Sequence, residues 1–160
     1  MTFALRFSFL LCAISGPLTG AWSLGKITVQ DNSCPKDWTR LDCNCYIYQS
    51  DARSFADAES VCNILGGNLV SIHNDLENAF VLELAKAAGN TAEFWIGLHD
   101  NILGDDYIWT DGSINDFQGF DGTPTSSTEN CVEYDVPSEF WQTEDCPEEN
   151  AYVCIRDVFH

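Results

Sequence analysis

The chain has 160 residues, with 25 Asp and Glu against 7 Lys and Arg, for a formal charge of −18 at pH 7. An acid excess of this size argues against nucleic acid, heparin-like chains and anionic membranes as partners, and favours cations or basic surfaces; solubility alone is the plainer reading of the same charge. The length fits one domain and is enough to bury a real core.

Residues 1–21 carry one charge, Arg6, and an apolar run from Phe7 to Ile14, with small residues at Thr19 and Ala21. That pattern predicts a secretory signal peptide, because a membrane anchor needs about 20 apolar residues and this run stops near Gly16. No second candidate span follows it, so the expectation is a secreted, extracellular protein without a transmembrane anchor. Removing residues 1–21 leaves about 139 residues and a charge of −19, with seven of the eight cysteines. In an oxidising compartment most of these should be paired, and an odd count leaves one over. Zinc is the competing use, but Cys43-Asn44-Cys45 lacks zinc spacing and has no His cluster beside it.

Residues 22–33 read as a linker or first strand, with Lys26–Val29 its only strand-like run. The folded domain is expected over 34–157. Tyr46-Ile47-Tyr48 is a short β-type run. Ser54, with Asp57 three residues on, opens a helix whose apolar face is Phe55, Ala58, Val61, Cys62 and Leu65, and Gly66-Gly67 ends it. Leu69–Ile72 reads as a strand. Asn74 with Glu77 opens a second helix, with Leu76, Phe80, Val81, Leu84 and Ala87/Ala88 as its buried stripe and Gly89 as its stop. Trp95–Leu98 and Tyr107–Thr110 are compact strands, the second followed by the turn Asp111-Gly112. Residues 113–130 are loop, anchored by Phe117 and Phe120. Val132–Tyr134 and Ala151–Cys154 are late strands. Early helices, late short strands and one long loop predict an α+β domain, and a loop of that length in a small domain is usually functional.

The matching stretches support a family. They are Cys34-Pro35-x-x-Trp38, Cys45-Tyr46, Phe55-x-x-Ala58-Glu59-x-x-Cys62, Gly66–Ile72, Glu77-Asn78-x-Phe80, Trp95–Leu98, Trp109-x-Asp111-Gly112-Ser113, Glu129-Asn130-Cys131, Trp141-x-x-x-x-Cys146 and Tyr152–Cys154. Together, and in order, they resemble a C-type lectin-like domain in its long form, with an N-terminal hairpin disulfide. The resemblance implies two helices, small antiparallel sheets and a long loop region. It also implies the pairs Cys34–Cys45, Cys62–Cys154 and Cys131–Cys146. By loop entropy the long bridge contributes about 4–5 kcal/mol and the Cys131 bridge about 3 kcal/mol. Cys43 is the remaining cysteine, a candidate for a disulfide-linked homodimer or a bond to another chain; a free thiol, or a swap pairing Cys34 with Cys43, stays open.

Sugar-binding members of this family hold Ca²⁺ through a Glu-Pro-Asn or Gln-Pro-Asp loop, a Glu before the next Cys and an Asn-Asp pair after the late Trp. Ca²⁺ takes six to eight oxygens, several of them anionic. Here the proline loop reads Thr123-Pro124-Thr125 and the late pair Gln142-Thr143, and only Glu129 keeps its type. The resemblance therefore implies a ligand-binding set of Thr123, Pro124, Thr125, Glu129, Gln142 and Thr143 in which the usual calcium site is degenerate, with the shape of the loop, including a cis bond before Pro124, expected to persist. The resemblance also implies an auxiliary Ca²⁺ set of Asp100, Asp105, Glu129 and Asn130, a partial match because the usual acidic position falls on Gly104, one residue from Asp105; a solvated acidic loop is the plain alternative. Thr123–Thr128 would suit O-linked sugars, a flat hydroxyl surface as in fish antifreeze proteins that resemble this fold, or an ordinary polar loop.

Trp38, Trp95, Trp109 and Trp141 match core positions of the family, and Glu77 is expected to cap the second helix. Catalysis is not expected. The histidines are His73, His99 and His160, and neither a nucleophile elbow nor a phosphate loop nor a metalloprotease helix appears. The reading is a secreted lectin-like recognition protein binding a glycan or protein ligand on an extracellular surface through a modified site, with host defence as the expected setting. A calcium-independent protein- or mineral-binding module using the acidic long-loop face is the alternative.

Overall fold

A computed structural model describes residues 33–100, 106–122 and 130–158. The chain divides into two units, Met1–Asp31 and Asn32–His160, and every described residue belongs to the second. The first strand expected at Lys26–Val29 lies outside the described residues.

The elements run β1 (Thr39–Leu41), β2 (Asn44–Arg53), α1 (Phe55–Ile64), β3 (Asn68–Leu69), α2 (Asp75–Ala87), β4 (Glu93–Asp100), β5 (Tyr107–Trp109), β6 (Cys131–Asp135), β7 (Phe140–Glu144) and β8 (Asn150–Asp157). Both helices start where the sequence places them. The Ser54 hydroxyl accepts the Asp57 N–H, and Asn74 accepts the Glu77 N–H at 3.0 Å. Glu77 answers by accepting the His73 N–H at 2.7 Å, one residue before the cap, so the entry to α2 is tied in both directions. Gly66 and Gly89, with φ of 88° and 90°, take the left-handed turn that lets each helix stop.

The sheet order is β1-β2-β8-β4-β6-β7, with β3 added on β8 and β5 on β4. Every pairing is antiparallel except β4 with β8, which is parallel through Phe94↔Ala151 and Trp95↔Tyr152. The main apolar cluster includes Tyr46, Val70, Ile72, Val81, Phe94, Ile96, Trp109, Tyr134 and Trp141. A second cluster under α1 gathers Phe55, Ala58, Cys62, Leu69, Trp95 and Tyr152. Among the described residues three disulfides join Cys34–Cys45, Cys62–Cys154 and Cys131–Cys146, with Cα separations of 5.5, 5.4 and 5.1 Å, as the resemblance implies. Among the described residues no cysteine is a free thiol.

Several elements differ from the sequence reading. Leu76 is 62 % exposed, and α2 buries Val81, Leu82 and Ala85, with Phe80 and Leu84 half-buried beside them. Adjacent apolar residues on a helix define two overlapping stripes, and packing on the sheet chose the later one. The strand expected over Leu69–Ile72 pairs as a strand only at Asn68–Leu69; beyond it Val70 continues through single bonds to Val153 and Gly97. β1 and β7 are strands that the sequence reading did not assign, and β2 runs well past Tyr46–Tyr48. Their polar residues sit on solvent-facing sides, which weakens any apolar signal. Trp38 is half-buried rather than central, with the Arg156 guanidinium 5.8 Å from its ring centroid.

Candidate functional site

The site expected from the sequence lies around the long loop, and its floor is β6 and β7. These strands pair in register as Cys131↔Glu144, Val132↔Thr143, Glu133↔Gln142, Tyr134↔Trp141 and Asp135↔Phe140. Alternation sends Val132, Tyr134 and Trp141 into the main core, and Glu133, Asp135, Gln142 and Glu144 to the other face.

Trp141 holds the first part of the loop. Its ring meets Trp109, Phe117 and Phe120 edge-on at 5.6, 5.7 and 5.7 Å. Its indole N–H donates to Asn78 Oδ1 at 3.0 Å, and its backbone N–H to the Gly119 carbonyl at 2.9 Å. A Cβ on Gly119 would lie 2.3 Å from the Trp141 ring, so only glycine lets the loop backbone rest there. Phe117 and Phe120 are thus anchors, as read from the sequence. Gly119 was missed, because its requirement is set by a ring 22 positions away. His73 Nδ1 adds a tie at 2.7 Å to Asp116.

Of the expected ligand set, Gln142 and Thr143 are described. Gln142 is exposed, and its amide donates to Asp135 Oδ2 at 3.1 Å. Thr143 is half-buried. Thr123, Pro124, Thr125 and Glu129 lie outside the described residues, as does the expected cis bond before Pro124. Of the auxiliary set, Asp100 and Asn130 are brought together: the Asp100 N–H donates to the Asn130 carbonyl at 2.7 Å, and Asp100 Oδ1 accepts the Asp106 N–H at 3.2 Å. Asp105 and Glu129 are outside the described residues. At the late pair, the donors present are one amide, already turned to a carboxylate, and one hydroxyl, and this neutral set does not fit the charge that Ca²⁺ draws on. Cys43 is half-buried at the β1–β2 turn, where its carbonyl accepts the Val158 N–H at 2.9 Å.

The far face of β6 holds a group that the sequence reading missed. Glu133 is 5 % exposed and Asp135 8 %. Burial, with Glu144 and Glu93 nearby, pushes the Glu133 carboxyl up to about 7, against the pull of the Asn150 amide that donates to it at 2.7 Å. Alternation in a five-residue strand does not reveal that its polar face is covered.

A polar groove of about 470 Å³ lies elsewhere, between the Gly66–Asn68 turn, the start of α2, the Asp111–Ser113 turn and the end of β8. It includes none of Asp100, Asn130, Gln142 and Thr143.

Comparison with known proteins places these features in a family. A model described as "Lectin C-type domain" matches residues 51–156. The galactose-specific lectin nattectin of Thalassophryne nattereri is 32 % identical over 156 residues, covering 95 % of this chain and 94 % of its own. The crystal structure of human lithostathine superposes with a TM-score of 0.77 at 28 % identity, covering 84 % of this chain and 98 % of its own. The carbohydrate-recognition domain of cow CD23, solved in the presence of an oligosaccharide, has a TM-score of 0.71 at 32 % identity, covering 79 % of this chain and 97 % of its own.

Proposed function

Because this chain belongs to the C-type lectin domain family, we propose that it is a secreted recognition protein that binds glycans on an extracellular surface without the usual calcium bridge. The observation that carries this reading is the neutral late pair. Gln142 brings a neutral amide, whose N–H donates to Asp135, and Thr143 contributes only a hydroxyl. The loop floor is nevertheless intact, since Trp141 seats Phe117, Gly119 and Phe120. Anchoring of this kind at the start of the loop favours recognition that does not depend on an ion. The galactose specificity in nattectin's name supports a sugar as the ligand class. The signal-like residues 1–21 support secretion.

A glycan array probed with and without Ca²⁺ tests the reading. Sugar-competable binding that survives chelation is the expected result. Binding that appears only with Ca²⁺ would overturn the calcium-independent part and restore the usual site. A second reading has one specific observation in its favour: fifteen Asp and Glu, and no Lys or Arg, lie between Lys86 and Arg156. A protein- or mineral-binding module using that acidic face would bind more weakly as ionic strength rises and ignore sugars.

A further inference from the structure

Asp-Gly occurs twice in the chain, at Asp111-Gly112 and Asp121-Gly122, and Asn-Gly does not occur. In this dipeptide the backbone most readily attacks its own side chain, because glycine puts no Cβ in the way of its nitrogen and lets the chain turn. The two copies share a backbone state. All four residues are exposed. Both glycines are left-handed, with φ of 75° and 93°, and beyond the chain neighbours a Cβ built on either meets nothing within 4 Å.

Their carboxylates differ. Asp111 Oδ2 accepts the hydroxyl of Ser71, a residue only 3 % exposed, at 2.5 Å. Asp111 Oδ1 accepts the Ser113 N–H at 2.8 Å and the Ser113 hydroxyl at 2.5 Å. That side chain is pinned to the edge of the core from one side and to its own turn from the other. Among the described residues the Asp121 carboxylate has neither a hydrogen-bond nor an ion-pair partner. The residue before it is nevertheless fixed, since the Phe120 ring packs on Tyr107 and Trp141 at 5.6 and 5.7 Å.

We infer that Asp121-Gly122 is a site of spontaneous covalent modification, where aspartate converts to isoaspartate, and that the Ser71 and Ser113 bonds protect Asp111-Gly112 from the same reaction. The Gly122 backbone nitrogen attacks Asp121 Cγ of the protonated carboxyl. A C–N bond forms and a C–O bond breaks; the nitrogen's proton and the carboxyl OH leave as water, and a five-membered succinimide closes. Water then opens the ring. Addition at the side-chain carbonyl restores aspartate, and addition at the main-chain carbonyl leaves the backbone running through the side chain, one methylene longer. The net change is an isomerisation at constant mass. Attack needs Cγ and the nitrogen held in reacting geometry. Asp121 can rotate into it, whereas Asp111 must first give up bonds from three donors. The extra methylene falls between the seated Phe120 and Thr123, so it changes the span of the loop directly before the expected ligand set. This chemistry needs no ligand and is independent of glycan recognition.

Ageing the full chain at neutral pH and body temperature tests it, with proteolysis at aromatic residues and electron-transfer fragmentation to locate isoaspartate. Isoaspartate should accumulate at Asp121 at least about tenfold faster than at Asp111, the factor carried by one charge-assisted hydrogen bond. In the reduced chain unfolded in guanidinium the two rates should draw together. Asp121→Glu, which would have to close a six-membered ring, should abolish the signal at that position. Ser71→Ala with Ser113→Ala should speed Asp111 about tenfold and leave Asp121 unchanged. Where that double variant does not fold, the folded and unfolded parent chains still decide. Equal rates in the folded chain, a faster Asp111, or a gap that persists after unfolding would overturn the inference. So would a folded chain without isoaspartate at Asp121 beside an unfolded chain that forms it.

Discussion

The two faces of the β6–β7 pair are built from alternate residues of the same short strands, yet they have opposite chemistry. One face, with Val132, Tyr134 and Trp141, belongs to the main core and seats the loop. The other, with Glu133, Asp135, Gln142 and Glu144, is polar, and burial, with neighbouring carboxylates adding to it, pushes the Glu133 carboxyl up to about 7. The contrast teaches that one strand pair can anchor the loop by apolar contact on one face and carry a pH-sensitive carboxyl on the other.

The comparison breaks most severely at Trp141. Trp141→Ala should cost about 3–5 kcal/mol, because it removes a fully buried ring and the seat of Phe117 and Phe120; denaturant melts read the loss. Replacing Cys131 and Cys146 together by Ala should cost about 3 kcal/mol by freeing a 15-residue separation, read the same way under non-reducing conditions. Gly119→Ala should cost roughly 1–3 kcal/mol through the clash with the indole, and a preserved melting point would show that the loop does not rest there.

Glu133→Gln sharpens the other face. A carboxyl raised from 4.5 to about 7 in the fold binds its proton more tightly folded than unfolded. Its contribution is therefore full below about pH 4.5 and is lost as pH rises through 7. The parent should lose on the order of 2 kcal/mol between pH 5 and pH 8 from this group, and Glu133→Gln should flatten that slope. Unfolding curves at the two pH values decide it; an unchanged slope in the variant would sink the assignment.

Much of this was legible before any coordinates. Ser54 and Asn74 announce their helices because a cap is a bond between residues three apart. The cysteines, Trp95 and Trp109 follow a recognisable order, so pairing and core placement came with the resemblance. The candidate site was legible as a loss, since Gln142 and Thr143 are visibly neutral. Leu76 misled because its spacing fits a stripe that the sheet does not cover. β7 was read for Trp141, Gln142 and Thr143 but not as a strand, since its polar residues leave little apolar alternation.

What the sequence by itself determined, then, is local or covalent: where helices begin and end, how many cysteines await partners, which side chains are too large and apolar to remain in water. What only the tertiary structure decided is which distant pieces meet. The parallel β4–β8 pair, the Gly119 backbone on the Trp141 ring, the covered Glu133 and the groove drawn from Asn44, Asn68, Glu77, Asp111 and Asp157 all join segments far apart in the chain. Such contacts depend on loop closure and on the packing of whole surfaces, and no window of neighbouring residues records either.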